Sequence, residues 1–371
     1  MTRSGGRVLL SFVAAALLGG CVGLDGTSPG PAGAKDGQIR IAFTGQSLIK
    51  HDPRRYVQHP LASVRKQLAA ADIVFTNLEV AVNTTDQRCA ATKQGRFFHS
   101  GSADVVEFLA TIGVDLVSVA NNHSWDLGAC GIMATLDSVR AAGMAPAGTG
   151  ATLDEALQPA IVESGGLRIA LVAVATTRLP ADAAATPTRA GVNVLAVADQ
   201  AAWARNIDAI RAASRQADLV IAYQHYQIRD GGDFQQAWAR AAIDAGADIY
   251  VSHGHPELGG VELYRGGLIL YNLGNFVFHT RTEAGYYEPK AWRSVIAEVT
   301  ADAAGLKEVV FTPLLLNEIG AGQNFLETRG LPEVAAGEEA ASILSTLKRL
   351  SGSYGDRMVV DGERARLALR P

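Results

Sequence analysis

The sequence predicts an α/β fold in which two sheets lie face to face with helices outside. Three observations support it. Short apolar runs alternate with helical patterns from Ile39 to Val251. Beyond His255 the pattern changes to closely spaced strands joined by glycine turns. No second Gly/Pro-rich linker interrupts the chain after Gln38, so residues 39–371 are expected to form one domain. A 48% hydrophobic and 19% charged composition belongs to an ordinary globular chain. With a net charge of −4 and no extended basic stretch, nucleic acid is excluded as the expected partner.

The amino terminus reads as a targeting segment. Arg3 and Arg7 precede an apolar run from Val8 to Leu18, followed by Gly19, Gly20 and Cys21. The run falls short of the roughly 20 residues that span a bilayer, so it is expected to be a signal-peptide core. Leu18-Gly19-Gly20-Cys21 resembles a bacterial lipobox, which makes Cys21 the expected lipidation site and residues 1–21 the signal. Residues 22–38, rich in Gly, Pro and Ser, read as a flexible tether. The expected location is therefore extracytoplasmic, anchored by lipid to a bacterial membrane. Cys89 and Cys130 then remain in an oxidising compartment, where a pair suggests one disulfide.

In chain order, Ile39–Phe43 reads as the first strand, ending in Thr44-Gly45-Gln46-Ser47. A helix is expected over Pro60–Ala70 and a strand over Ile73–Thr76, ending in Asn77-Leu78-Glu79. The polar loop Asn83–Gly101 leads to a helix over Ala103–Ile112. A buried strand, Val114–Val119, enters the turn Asn121-Asn122-His123-Ser124-Trp125-Asp126, which precedes another helical pattern. Leu167–Val174 is a further buried strand. Thr176–Val192 lacks periodicity, and a loop of that length suits a lid or binding segment, so Arg178 and Arg189 are candidate contacts for an anionic substrate. Helix Trp203–Arg215, strand Leu219–Tyr223, helix Phe234–Ala245 and strand Ile249–Val251 complete the alternating part. Two antiparallel pairs, a helix over Glu338–Leu350 and a last strand pair around Met358 and Leu367 follow.

Four strand ends carry Glu79, Asn122 with His123, His225, and His253 with His255. In open α/β sheets, ligands bind beyond the carboxyl ends of strands. A lone histidine or glutamate there usually belongs to a solvated turn, but four of the eight histidines gather at such ends. Imidazole mixed with carboxylate and amide oxygen suits Zn, Mn or Fe better than Ca or Mg. His253 and His255 flank a glycine, and their rings are expected to point to one side near the surface.

The phrases Asn77-Leu78-Glu79, ANNHSWDLG, the strand ending in His225, GADIYVSHGHPE and YRGGLILYNLGNFVF resemble the bacterial capsule-synthesis CapA (PgsA) family over about Ile39 to Phe278. That family is linked to poly-γ-glutamate capsule assembly and is distantly related to calcineurin-like metallophosphoesterases. The resemblance implies an αββα sandwich of two mixed sheets flanked by helices. It implies Asn122, His225, His253, His255 and Glu79 as ligands of one or two divalent transition-metal ions, and His123 as the catalytic histidine. Two departures stand out. Gly45-Gln46 replaces the family's Gly-Asp, so His51 or Asp52 is a candidate for the missing ligand, and the histidine phrase near His255 is rearranged, with Glu257 a possible substitute. A neutral amide brings no charge to offset two cations. Two readings follow: a metal-dependent hydrolase or transferase acting on a phosphoester or on an acyl or peptide-like bond in an anionic capsule polymer, and a non-catalytic polymer-binding partner of a membrane synthase or exporter.

Overall fold

The computed structural model describes residues 1, 37–84, 88–228, 231, 233–319 and 325–370; Cys21 and the apolar run Val8–Leu18 lie outside them. The strand Gln38–Ile49 is the axis of the first sheet. On one side it pairs parallel with Ile73–Leu78, followed by Leu116–Ser118 and Ala145–Ala147, also parallel. On the other side it pairs antiparallel with Arg293–Asp302, beyond which lie Gly305–Leu316, Arg364–Ala368 and Val359–Asp361.

This axis strand runs past the expected turn at Thr44-Gly45-Gln46-Ser47. Its register shifts between Phe43 and Gln46, and its second half gains a new parallel partner, Asn275–His279. Gly45 makes the pairing possible, because a Cβ there would lie 2.4 Å from the Gly274 carbonyl oxygen. Polar residues that look like a turn in isolation thus form a buried strand, held by long-range partners.

The second sheet runs Val261–Tyr264, Gly267–Leu270, Ile249–His253, Leu219–Tyr226, Leu167–Thr176 and Ala160–Ser164. Its inner pairings are parallel and both edges are antiparallel. Side chains alternate across a strand. Leu219, Ile221 and Tyr223 therefore join Ile41, Phe43 and Phe75 in the core between the sheets. Their neighbours Val220 and Ala222 pack outward on Ile207, Ile210 and Trp238 of helices Gln200–Ser214 and Phe234–Asp244. Phe75 links the layers, its ring centroid 5.8 Å from Phe43 and 5.5 Å from Tyr223. Helices Ala62–Leu68, Ala103–Thr111 and Gly128–Ala141 contribute Val64, Phe108 and Leu136 to the core on the first sheet's side. The fold is an αββα sandwich of two mixed sheets.

The segment Thr176–Val192 is tied down at its far end. Gly191–Val192 pairs with Thr149–Gly150, and Ala183 is buried.

Candidate functional site

The strand ends meet at a cavity of about 620 Å³ whose lining includes Gln46, Glu79, His99, Asn122, His123 and His255. Arg178 also reaches this lining. Arg189 does not; it is exposed and donates to the Ala184 carbonyl of its own loop.

On the first-sheet side, the turn after Leu116–Ser118 is organised by Asn121. Its amide Nδ2 donates to the Leu78 carbonyl at 2.7 Å and to Asn77 Oδ1 at 3.1 Å, while its Oδ1 accepts from the His123 N–H at 3.0 Å. Ser124 closes the turn by accepting from the Asn121 N–H at 3.0 Å. The neighbouring strand end is thereby locked to the turn, placing Glu79 beside His123.

His123 is oriented by Asp126, with Nδ1 2.9 Å from Asp126 Oδ2. A carboxylate only accepts, so Nδ1 carries the hydrogen and Nε2 of the neutral ring accepts from Asn122 Nδ2 at 3.0 Å. Asp126 is held in turn by the His99 N–H at 2.7 Å and by Lys93 Nζ at 2.6 Å. Burial depresses the His123 pKa, and the hydrogen bond its ring donates to Asp126 opposes that shift. The His99 ring stands edge-on to His123 at 4.2 Å, and burial pushes its pKa down to about 2.

Lys93 and His99 come from the polar loop that sequence reasoning passed over. What secures this loop is the Cys89–Cys130 disulfide, with Cα atoms 5.6 Å apart. Thr92 adds two bonds, its N–H to the Asp126 carbonyl at 2.9 Å and its hydroxyl to the Trp125 carbonyl at 2.8 Å.

Several buried polar atoms in this region lack a hydrogen-bond partner: Glu79 Oε2, Asn122 Oδ1, His225 Nε2 and both ring nitrogens of His253. Burial pushes the Glu79 carboxyl up to about 8, reinforced by the Asp126 charge; its Oε1 lies 3.9 Å from His123 Nε2. His225 and His253 are register partners on adjacent strands and sit in the inter-sheet space below the cavity lining. The His253 ring is stacked on Phe75 at 6.4 Å and tilted against Tyr223 at 5.6 Å. Burial lowers its pKa to about 3, against a smaller opposite pull from the nearby Thr44 backbone, which does not reach hydrogen-bond geometry. His255 instead lines the cavity, because Gly254 turns the chain with φ +131. The two rings therefore part, contrary to the expectation that both lie near the surface on one side. A Cβ at Gly254 would lie 2.2 Å from the Tyr226 carbonyl oxygen, so the glycine also allows His225's strand to pass close by.

Gln46 occupies the position where the resemblance expects a carboxylate, and its amide is bonded at both ends. Nε2 donates to Asn275 Oδ1 at 3.0 Å and Oε1 accepts from the Gly254 N–H at 3.1 Å. A carboxylate could not donate to Asn275, so the glutamine clamps the axis strand to the His253–His255 turn. His51 and Asp52 do not fill in. The Asp52 carboxylate is bonded to Arg54, and the His51 ring packs on Tyr56 and His279 away from the cavity lining. Glu257 lines the cavity paired with Lys290 at 3.1 Å.

Among the described residues, no three His, Cys, Asp or Glu side chains are grouped to hold a metal ion. The unpartnered atoms are nonetheless of the kind that ligate one. They comprise a carboxylate oxygen, an amide oxygen and imidazole nitrogens held neutral by burial, so the donor set fits a transition metal with Asn122 as a member.

Comparison with known proteins agrees with this reading of the fold. The profile of the bacterial capsule synthesis protein family PGA_cap matches residues 40–280. An uncharacterized protein (y4sH) of Sinorhizobium fredii is 28% identical over 406 residues, covering 82% of this chain and 87% of that protein. The capsule biosynthesis protein CapA of Bacillus anthracis is 29% identical over 250 residues, 63% of this chain and 58% of its own length. A probable polyglutamine synthesis accessory protein of Mycobacterium tuberculosis is 28% identical over 301 residues, 78% of this chain and 75% of its own. With the family profile covering most of the folded region, and the strand-end residues in place, the chain belongs to the bacterial capsule synthesis protein family PGA_cap.

Proposed function

We propose that this protein is an envelope component of poly-γ-glutamate or related anionic-polymer synthesis, and that it acts as a metal-dependent hydrolase or transferase at the strand-end cavity. The observation that carries this is the set of unpartnered donors, Glu79, Asn122, His225 and His253, beside an oriented His123–Asp126 pair. An unpaired buried polar atom costs about 1–3 kcal/mol, and four residues at neighbouring strand ends carry such atoms. Glu79, Asn122, His225 and His253, with His255 at the cavity wall, are the residues that would hold Zn, Mn or Fe. The engaged Gln46 amide leaves no carboxylate at the family's aspartate position, which favours one ion over two. Such an ion supplies Lewis acidity toward a phosphoryl or acyl oxygen. His123 would take up a proton at Nε2 from the attacking water and pass it to the leaving group, while Asp126 fixes its tautomer and stabilises its charged form. Arg178 at the rim meets an anionic substrate.

Anchoring through Cys21 places the cavity outside the cytoplasm beside a membrane synthase or exporter. Among the described residues no helix is long and apolar enough to cross a membrane. Metabolic labelling with a fatty-acid analogue should mark the native protein and not Cys21→Ser.

A second reading, a polymer-binding partner without turnover, is favoured by one observation: Gln46 is satisfied without a metal. Hydrolysis of an activated phosphoester separates the two. After chelation and re-addition of Mn, Zn or Fe, the wild type should turn over and His123→Ala should lose about 10²–10⁴-fold, the usual worth of a general acid. No turnover with any of these ions leaves the binding reading.

A further inference from the structure

The cavity has a neighbour. A second depression of about 340 Å³ is lined by residues that include Arg293, Ser342, Thr346 and Arg349, and it shares Glu257 and Lys290 with the lining of the first. Its outer wall is the helix Gly337–Leu350 near the carboxyl terminus, beyond the region matched by the family profile. The shared Lys290 is committed to two carboxylates, with its Nζ 3.1 Å from Glu257 and 3.4 Å from Glu288. Arg293 is likewise committed, bonded through two nitrogens to Glu339.

Two guanidinium groups differ from these. Arg178 on the first lining and Arg349 on the second are exposed and form no ion pair among the described residues. Each depression therefore offers one uncommitted cation, while Lys290 between them is shared by the two carboxylates of Glu257 and Glu288 and adds no free positive charge. Arg349 also lies in the last turn of its helix, where a cation opposes the helix dipole. That accounts for a positive residue there, but not for the adjoining depression or for the hydroxyls of Ser342 and Thr346 on its lining.

We propose that the second depression is an extension subsite for a polyanionic chain, in which Arg349 pairs with an anionic group of one repeat while a neighbouring stretch occupies the first cavity. This rests on the anionic-polymer reading above and adds to it a footprint longer than one repeat. A small phosphoester would fill only the first cavity.

The test uses the full-length protein and fluorescence anisotropy with labelled γ-linked glutamate oligomers, one a dimer and the other a decamer. The decamer should bind the wild type more tightly than the dimer. Arg349→Glu, a surface change, and Thr346→Phe, which fills the depression without altering charge, should each weaken decamer binding about tenfold, the worth of a charge-assisted contact, and leave dimer binding within twofold. Equal loss for both oligomers in Arg349→Glu, or no loss for the decamer in either variant, overturns the extension subsite while the polymer reading stands. If neither oligomer binds the wild type, the polymer reading falls and takes the subsite with it.

Discussion

The two sides of the cavity are built from the same kinds of residue but are satisfied very differently. On the first-sheet side, Asn121, His123, Ser124 and Asp126 are bonded to each other, to the backbone or to Lys93. On the second-sheet side, His253 has two unpartnered ring nitrogens and His225 one. Such imidazoles are neither a hydrogen-bonded core nor a solvated surface. The contrast separates two jobs. The His123–Asp126 pair of the first side is preorganised by the protein itself, as a proton-transfer group must be, whereas Glu79 Oε2 and Asn122 Oδ1 beside it and the imidazoles of the second side are complete only when something outside the chain meets them.

Stability measurements can break or sharpen this comparison. The largest effect should come from the brace of the first side. Replacing both Cys89 and Cys130 by serine opens a closure spanning 41 positions, which on a chain-entropy basis costs about 4 kcal/mol. Urea unfolding should show this loss, and the Lys93–Asp126 contact should loosen with it. A midpoint unchanged from wild type would mean that the loop holds without its bridge.

Next come two apolar replacements, one from each side, measured in the presence of a chelator. Asn121→Leu strands the Leu78 carbonyl and the His123 N–H, both buried, and should cost about 2–4 kcal/mol. His253→Leu removes a polar ring with no partners from between Phe75 and Tyr223, so it should be neutral or stabilising by about 1 kcal/mol. Equal destabilisation by the two would erase the distinction between the sides.

Much of this arrangement was legible in the sequence because it depends on local pattern. The strand–turn–helix signature around Asn121–Asp126 places His123, and the histidines at strand ends mark the second side. Depth was not legible. His253 follows Ile249 and Val251 on the inward face, but only the opposing Phe75 shows that this face is closed at that level. The environment of Gln46 is hidden for a related reason. Its segment reads as a turn until the partners at Gly274 and Asn275, more than two hundred residues away, are supplied. Lys93 and His99 lie in a loop without periodicity, where the pairing of Cys89 with Cys130 was the one hint that the loop returns to the site. Arg178 and Arg189 look equivalent in sequence, and only the path of the segment sends the first to the cavity and the second away.

The claim that the second side awaits an ion is tested most directly by metal content. Full-length protein purified without chelator, analysed by native mass spectrometry and elemental analysis, should carry a single Zn, Mn or Fe ion or take one up on addition. The double variant His225→Ala/His253→Ala should lose it, and His123→Ala should keep it, because the His123 ring is held by Asp126 and Asn122. Wild type that binds none of these ions, or a double variant that binds as well as wild type, would contradict the account.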